Sequence, residues 1–231
     1  MGWWRIDTDA LAGSRFVVSA LAETTAALMA LRWRSAGHPG ERDWLAARLP
    51  AFQEYLAAEP VTAEVLRAAL GRQWIADYLT PPPDGRPFEE ELESIRATPD
   101  AVVRTNLRAA SRPAGAALRA RGLGPRTAEL LEWVWAEAVR PDWERRRRVA
   151  EADVLVRTRQ LSLGGWSAAL SGMRPGMAWP TGTPWCIRAR ASSPSRTRRR
   201  PRRRWSPCSG RCGRGCWCCW RARSPRPSWS R

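Results

Sequence analysis

The residue types best suited to chemistry are concentrated in the last quarter of the chain. All six cysteines (Cys186, Cys208, Cys212, Cys216, Cys218 and Cys219) lie there. Their spacing lacks the paired C-x-x-C knuckles of a zinc module, and no histidine accompanies them. The only histidine, His38, sits in a Gly-His-Pro-Gly turn and reads as a surface loop residue. With no cysteine or second histidine in residues 1–177, neither a metal site nor a nucleophile–base pair can be assembled there. Glu89, Glu90, Glu91 and Glu93 crowd one short helix and read as solvated charge rather than a catalytic dyad. No G-x-G-x-x-G or Walker pattern occurs. Trp33, Trp44, Trp74, Tyr78, Trp133, Trp135 and Trp166 could line an apolar pocket, but ordinary core packing accounts for them more simply. These features predict a protein that is not an enzyme and carries no cofactor or metal.

The remaining constellation is electrostatic. Arg198-Arg199-Arg200 and Arg202-Arg203-Arg204 form two triplets suited to non-specific contact with nucleic-acid phosphates. The formal net charge of +17 points the same way, but it is unevenly placed. Residues 178–231 hold 15 arginines and no acidic residue, whereas residues 1–177 set 24 arginines against all 22 acids. Six of the 15 tryptophans fall in the same tail, which has no Leu, Val, Met, Phe or Tyr and a single branched aliphatic, Ile187. Such a segment buries too little apolar surface to offset the entropy of ordering its backbone, and it is expected to be disordered.

An arginine-rich arm and a cysteine site are two readings of this tail; a shifted reading frame is a third. The chain has 39 Arg, no Lys, one Asn and four Ile, the usage of strongly GC-biased codons. Taking the last base of each codon with the first two of the next, Cys216-Trp217-Cys218-Cys219-Trp220 yields Leu-Val-Leu-Leu whatever codons were used. Trp220-Arg221 then yields Ala if the arginine codon begins with C. With suitable wobble bases, residues 207–231 can become LLGPLRARVLVLLAGPVSTTQLVA: an amphipathic helix, a Gly-Pro stop, a Ser/Thr cap and the start of a second helix. Residues 184–194 can become LVHPRAGVLA. The tail is therefore read as a frame-shifted translation.

The body predicts a mainly α fold. Its start, MGWWRIDTDA, is neither a signal peptide nor a myristoylation site, and no run of 18 apolar residues is present. Without cysteine in the body, a cytoplasmic, soluble protein with no membrane partner is expected. After an extended segment at Trp3–Ile6, apolar residues at helical spacing predict helices over Ser14–Arg34 and over Glu41–Ala58, the latter containing Pro50. Ser19 and Glu23 do not fit a capping box, whose spacing is three. Val61–Leu79 predicts one or two further helices, Pro81–Gly85 a loop, Phe88–Ala97 and Ala101–Ala110 helices, and Ser111–Arg126 a stretch irregular at its ends. The strongest signals are Thr127–Val139 and a last helix opened by Pro141, running to about Leu163 with Trp143, Ala150, Val154 and Leu161 in a stripe. Arg145–Arg148 on it read as a solvated face partly paired with Glu144 and Glu151.

Four runs of the body together resemble one family: SRFVVSALAETTAAL (Ser14–Leu28), HPGERDWLAARLPAF (His38–Phe52), WIADYLTP (Trp74–Pro81) and LEWVWAEAVRPDWERRRRVAEADV (Leu131–Val154). They are similar to the helical N-terminal domain of ArsR-like bacterial transcriptional regulators, and LSLGGWSAALSGMRPGM (Leu161–Met177) resembles it too. The resemblance implies a helical domain over residues 1–177, presumed in the family to sense a signal or to mediate dimerisation. It also implies a following winged helix-turn-helix that reads DNA with a recognition helix in the major groove. The resemblance stops at about Ala178, and the frame-shifted peptide is similar to the opening helices of such a winged helix. The expected partners are therefore DNA in intact relatives, a second copy of the chain, and an unknown small-molecule effector. A stand-alone ligand-sensing or protein-interaction domain, and a non-specific nucleic-acid binder acting through the tail, are the other functional classes.

Overall fold

A computed structural model of the chain describes residues 2–5, 12–37, 39–71, 74–110, 115, 119–171 and 186–189. The fold is mainly α. Its helices are α1 (Ala20–Trp33), α2 (Pro39–Ala58), α3 (Pro60–Ala69), α4 (Phe88–Arg96), α5 (Asp100–Ala109), α6 (Leu123–Val134) and α7 (Trp143–Ser171). Strand β1 (Gly2–Arg5) pairs antiparallel with β4 (Cys186–Ala189), and β2 (Leu70–Gly71) with β3 (Trp74–Ile75).

Helix α6 is the hub. Leu123, Ala128, Leu131 and Val134 on it are fully buried, and it packs on α1, α3, α4 and α5. Its N-terminus is held from a neighbouring helix: Asp100, the first residue of α5, accepts from the Leu123 amide at 2.8 Å and the Gly122 amide at 3.1 Å. This borrowed cap satisfies amides that the helix itself leaves without acceptors. At the next position the backbones meet closely. A Cβ on Gly124 would sit 2.6 Å from the Thr98 carbonyl oxygen and 3.0 Å from those of Arg96 and Ile95. The turn from α4 to α5 and the start of α6 can pack together only because residue 124 has no side chain.

Several expectations are sharpened or corrected. The first helix begins at Ala20 rather than Ser14, because Ser19 takes the N-cap and accepts from the Ala22 amide at 3.0 Å. Ser19 is thus a cap without a capping box, and Glu23 faces elsewhere. Pro50 lies inside α2. The span read as one or two helices over residues 61–79 is helical only to Ala69. A short β-ladder and a 3-10 turn (Asp77–Leu79) follow. Within the stretch read as irregular, Leu123–Arg126 already belongs to α6. That helix gives way to a π turn at Trp135–Val139 and a 3-10 turn at Arg140–Asp142.

Helix α7 reverses at Gly165 (φ 66°), a conformation that a glycine adopts without steric penalty. The buried Arg157 braces the reversal, donating to Asp153 at 3.2 Å and to the Ala169 carbonyl at 3.1 Å. Trp166 meets Phe16 with ring centroids 5.7 Å apart. The end near Leu163 expected from the sequence falls just before this reversal. Of the tail, only Cys186–Ala189 belongs to the described residues.

Candidate functional site

Most charged and aromatic side chains singled out in the sequence are committed to the architecture. Glu91 is buried, which corrects its reading as solvated charge. It accepts from the Ser19 hydroxyl at 2.6 Å and from the backbone amides of Leu21, Asp84 and Gly85. Facing the core from the acidic helix α4, it ties together the start of α1 and the Pro-rich loop. Glu89, Glu90 and Glu93 remain exposed, with Glu90 and Glu93 in ion pairs to Arg86 and Arg96.

The aromatic residues pack rather than enclose a chamber. Phe88 stacks on Trp135 at 4.6 Å, and Trp133 meets Phe52 and Tyr55. Tyr78, its hydroxyl 3.3 Å from that of Thr127, borders a void of only about 10 Å³, room for one water at most. Burial pushes its phenol up to about 12.

The four-arginine run divides by helix face. Arg145 chelates Asp142 through two bonds of 2.6 and 2.7 Å, which hold that carboxyl below the usual carboxylate range. Arg147 pairs with Glu151 as expected. Arg148 donates to the backbone carbonyl of Glu144 rather than to its side chain. Arg146 turns inward to Glu23, a partner that sequence spacing does not show.

Two surfaces remain that the architecture does not explain. The first is the outer face of α7. Its inner stripe, Trp143, Ala150, Val154 and Leu161, is half-buried as expected. On the other side Val149, Leu155, Val156 and Leu163 are exposed at 37%, 70%, 55% and 79%. Of the five large apolar side chains exposed among the described residues, four lie on this helix. The seven-residue interval Val149–Val156–Leu163 was available in the sequence as a second apolar period, masked by the stronger inner stripe.

The second surface is an open groove of about 450 Å³ between the end of α1 and the start of α2. Arg34 and Arg42 stand at it, with Leu45 and Leu49 also in its lining. Nothing in the spacing of those residues marks them as a set.

His38 and the triplets Arg198–Arg200 and Arg202–Arg204 lie outside the described residues. Among the described residues, no group of three His, Cys, Asp or Glu side chains is placed to hold a metal ion. Nor is any helix there long and apolar enough to cross a membrane. No family model, curated protein or solved structure matches the chain.

Proposed function

We propose that the helical body is the regulatory half of an ArsR-like transcriptional regulator, and that its DNA-reading winged helix is scrambled in this chain by a shift of reading frame. The observation that carries this reading is the outer face of α7. A packed domain rarely leaves four large apolar residues together on one helix facing water, and such a patch marks a surface made for a neighbour. Leu163, the most exposed of them, lies fifteen residues before the composition break at Ala178. The neighbour that the shifted frame would supply after that break opens with a leucine-rich amphipathic helix, apolar chemistry of the kind such a face would bury. The tail as translated offers no leucine or valine to cover it and adds further cations.

The test is to restore the frame after residue 177 and to measure duplex DNA binding by both chains across a salt series. The regulator reading expects sequence-selective binding from the restored chain only. If no frame of the downstream nucleotide sequence encodes a winged helix, or if the restored chain shows no sequence preference, the reading fails. If instead the present chain binds DNA with a steep salt slope and no selectivity, the arginine triplets account for the binding.

A further inference from the structure

The groove between α1 and α2 is built from the end of one helix and the beginning of the next. Helix α1 closes with Arg34 in the left-handed region (φ 51°), the only non-glycine residue of positive φ among the described residues. The Ser35 amide reaches back to the Ala30 carbonyl at 3.2 Å, a closure in which glycine is the common choice at this position. An arginine there holds a backbone conformation that an L side chain adopts less readily than glycine does. Retaining a long cation at such a position points to a use for its head group.

The charged side chains that line the groove are both cations. Neither Arg34 nor Arg42 has a carboxylate partner among the described residues. Arg32, one turn from the groove, is held below the usual guanidinium range by burial and by the neighbouring cations Arg67 and Arg34. Of the nearby acids, Glu64 pairs with Arg67 and Glu41 accepts from the Gly37 amide, while Asp43, next to Arg42 in sequence, is not in the groove's lining. Leu45, buried, and Leu49, half-buried, line the groove with the two arginines. The volume lies within the range of small-molecule sites, roughly 300–1,000 Å³.

We propose that this groove binds a small anionic amphiphile, with its carboxylate or phosphate held by Arg34 and Arg42 and its apolar body on Leu45 and Leu49. An inorganic anion alone would leave the apolar floor unused, and a neutral apolar molecule would leave both cations uncompensated. The proposal does not rest on the regulator reading, because a stand-alone sensing domain would use the same groove.

The test is titration of the full-length chain with octanoate, octyl phosphate and octanol, followed by calorimetry. Saturable one-to-one binding of octanoate or octyl phosphate is expected, with octanol at least about tenfold weaker, the loss of one charge-assisted contact. Arg34→Asn, which keeps a residue tolerant of the left-handed backbone, and Arg42→Gln should each weaken binding by a similar factor. Arg34→Lys should retain most of it. Arg203→Gln in the tail, removing one cation elsewhere, should leave it unchanged. Binding of the three probes with equal strength would overturn the proposal. So would non-saturating binding, or binding as sensitive to Arg203→Gln as to Arg42→Gln.

Discussion

The Arg146 guanidinium donates to the Glu23 carboxylate at 2.7 Å across 123 residues of sequence, joining the start of α7 to the first turn of α1. The same guanidinium lies 5.6 Å from the centre of the Trp44 ring on α2, and Trp44 in turn donates its indole N–H to the Ala138 carbonyl at 2.9 Å. Glu23 and Arg146 are both largely withdrawn from water, with side-chain exposures of 11% and 21%. The pair thus fastens α7 to the core where the chain leaves the π turn.

Removing one partner strands the other. Arg146→Met is expected to destabilise the folded chain by about 3–5 kcal/mol, because it leaves a buried carboxylate uncompensated. The double variant Glu23→Leu/Arg146→Met should recover most of that loss, since an apolar pair of similar size avoids desolvating either charge. Urea denaturation of the wild type, both single variants and the double variant measures the coupling. A double variant no more stable than Arg146→Met would show that the guanidinium acts through Trp44 and Asp142 rather than through Glu23.

The pair also sets a pH dependence. Burial raises the Glu23 carboxyl above its ordinary value of 4.5, outweighing the opposing pull of Arg146. The folded chain therefore holds this proton more tightly than the unfolded chain does. Stability contributed by the protonated form is present in full below the unfolded value and is lost as pH rises through the folded one. Glu23→Gln fixes the site in its neutral form. Its stability relative to wild type should shift in favour of glutamine as pH is raised from about 4 to 7, with the shift confined to the window above 4.5. Asp84 and Asp142 are held low by their arginines and lose stability on acidification, but both are common to the two chains, so the difference isolates Glu23. A pH-independent difference would show that Glu23 titrates normally.

Glu91 provides a contrast between composition and position. Glu91→Ala removes the acceptor for one hydroxyl and three backbone amides, leaving the buried donors at the start of α1 and the part-buried amides of the loop without this partner. A loss of about 3 kcal/mol is expected by urea denaturation, against less than about 0.5 kcal/mol for the exposed Glu89→Ala. Equal effects would return Glu91 to the class of solvated charge.

What could be read from the sequence followed what is periodic or local. The α3-to-α6 region illustrates both outcomes. Phe88, Leu92 and Ile95 recur at helical spacing and mark α4, while Pro81-Pro82-Pro83-Asp84-Gly85 marks the loop before it. The ladder at Leu70–Ile75 was missed because two-residue strands are too short to show a period of two. Asp100 as the cap of α6, Glu91 as the acceptor for α1, and Arg146 as the partner of Glu23 are long-range pairings, and no local spacing encodes them. The groove was hidden for a related reason: Arg34 and Arg42 belong to different helices, and only the turn between those helices brings them together. The tail is set apart by composition alone, a property independent of any fold.

Close backbone packing gives a further test. Gly124→Ala introduces a Cβ within 3.0 Å of three carbonyl oxygens on the segment joining α4 to α5, and backbone cannot yield as a flexible side-chain tip can. A destabilisation of about 1–3 kcal/mol is expected from this overpacking, despite alanine's better helix propensity. Thermal unfolding of the variant, with Glu129→Ala against Glu129→Gly at an exposed position of the same helix as a propensity reference, separates the two effects. A Gly124→Ala chain as stable as wild type would mean that α6 can shift away from α4 without cost.

The exposed face of α7 makes opposite demands on the chain with and without a restored frame. In the present chain, Leu155 and Leu163 are 70% and 79% exposed. Leu155→Ser and Leu163→Ser should therefore change stability by no more than about 0.5 kcal/mol, whereas Leu130→Ala in the core should cost about 2–5 kcal/mol. The serine variants should also reduce self-association, since they break up the largest apolar stretch on the helix. In a chain whose frame is restored after residue 177, the regulator reading expects the same two substitutions to become destabilising by about 1–3 kcal/mol, because a winged-helix module would then cover those side chains. Denaturation of the four chains measures that change directly. Equal tolerance in both frames would mean that α7 stays uncovered when the module is present, and the apolar face would then need a different occupant.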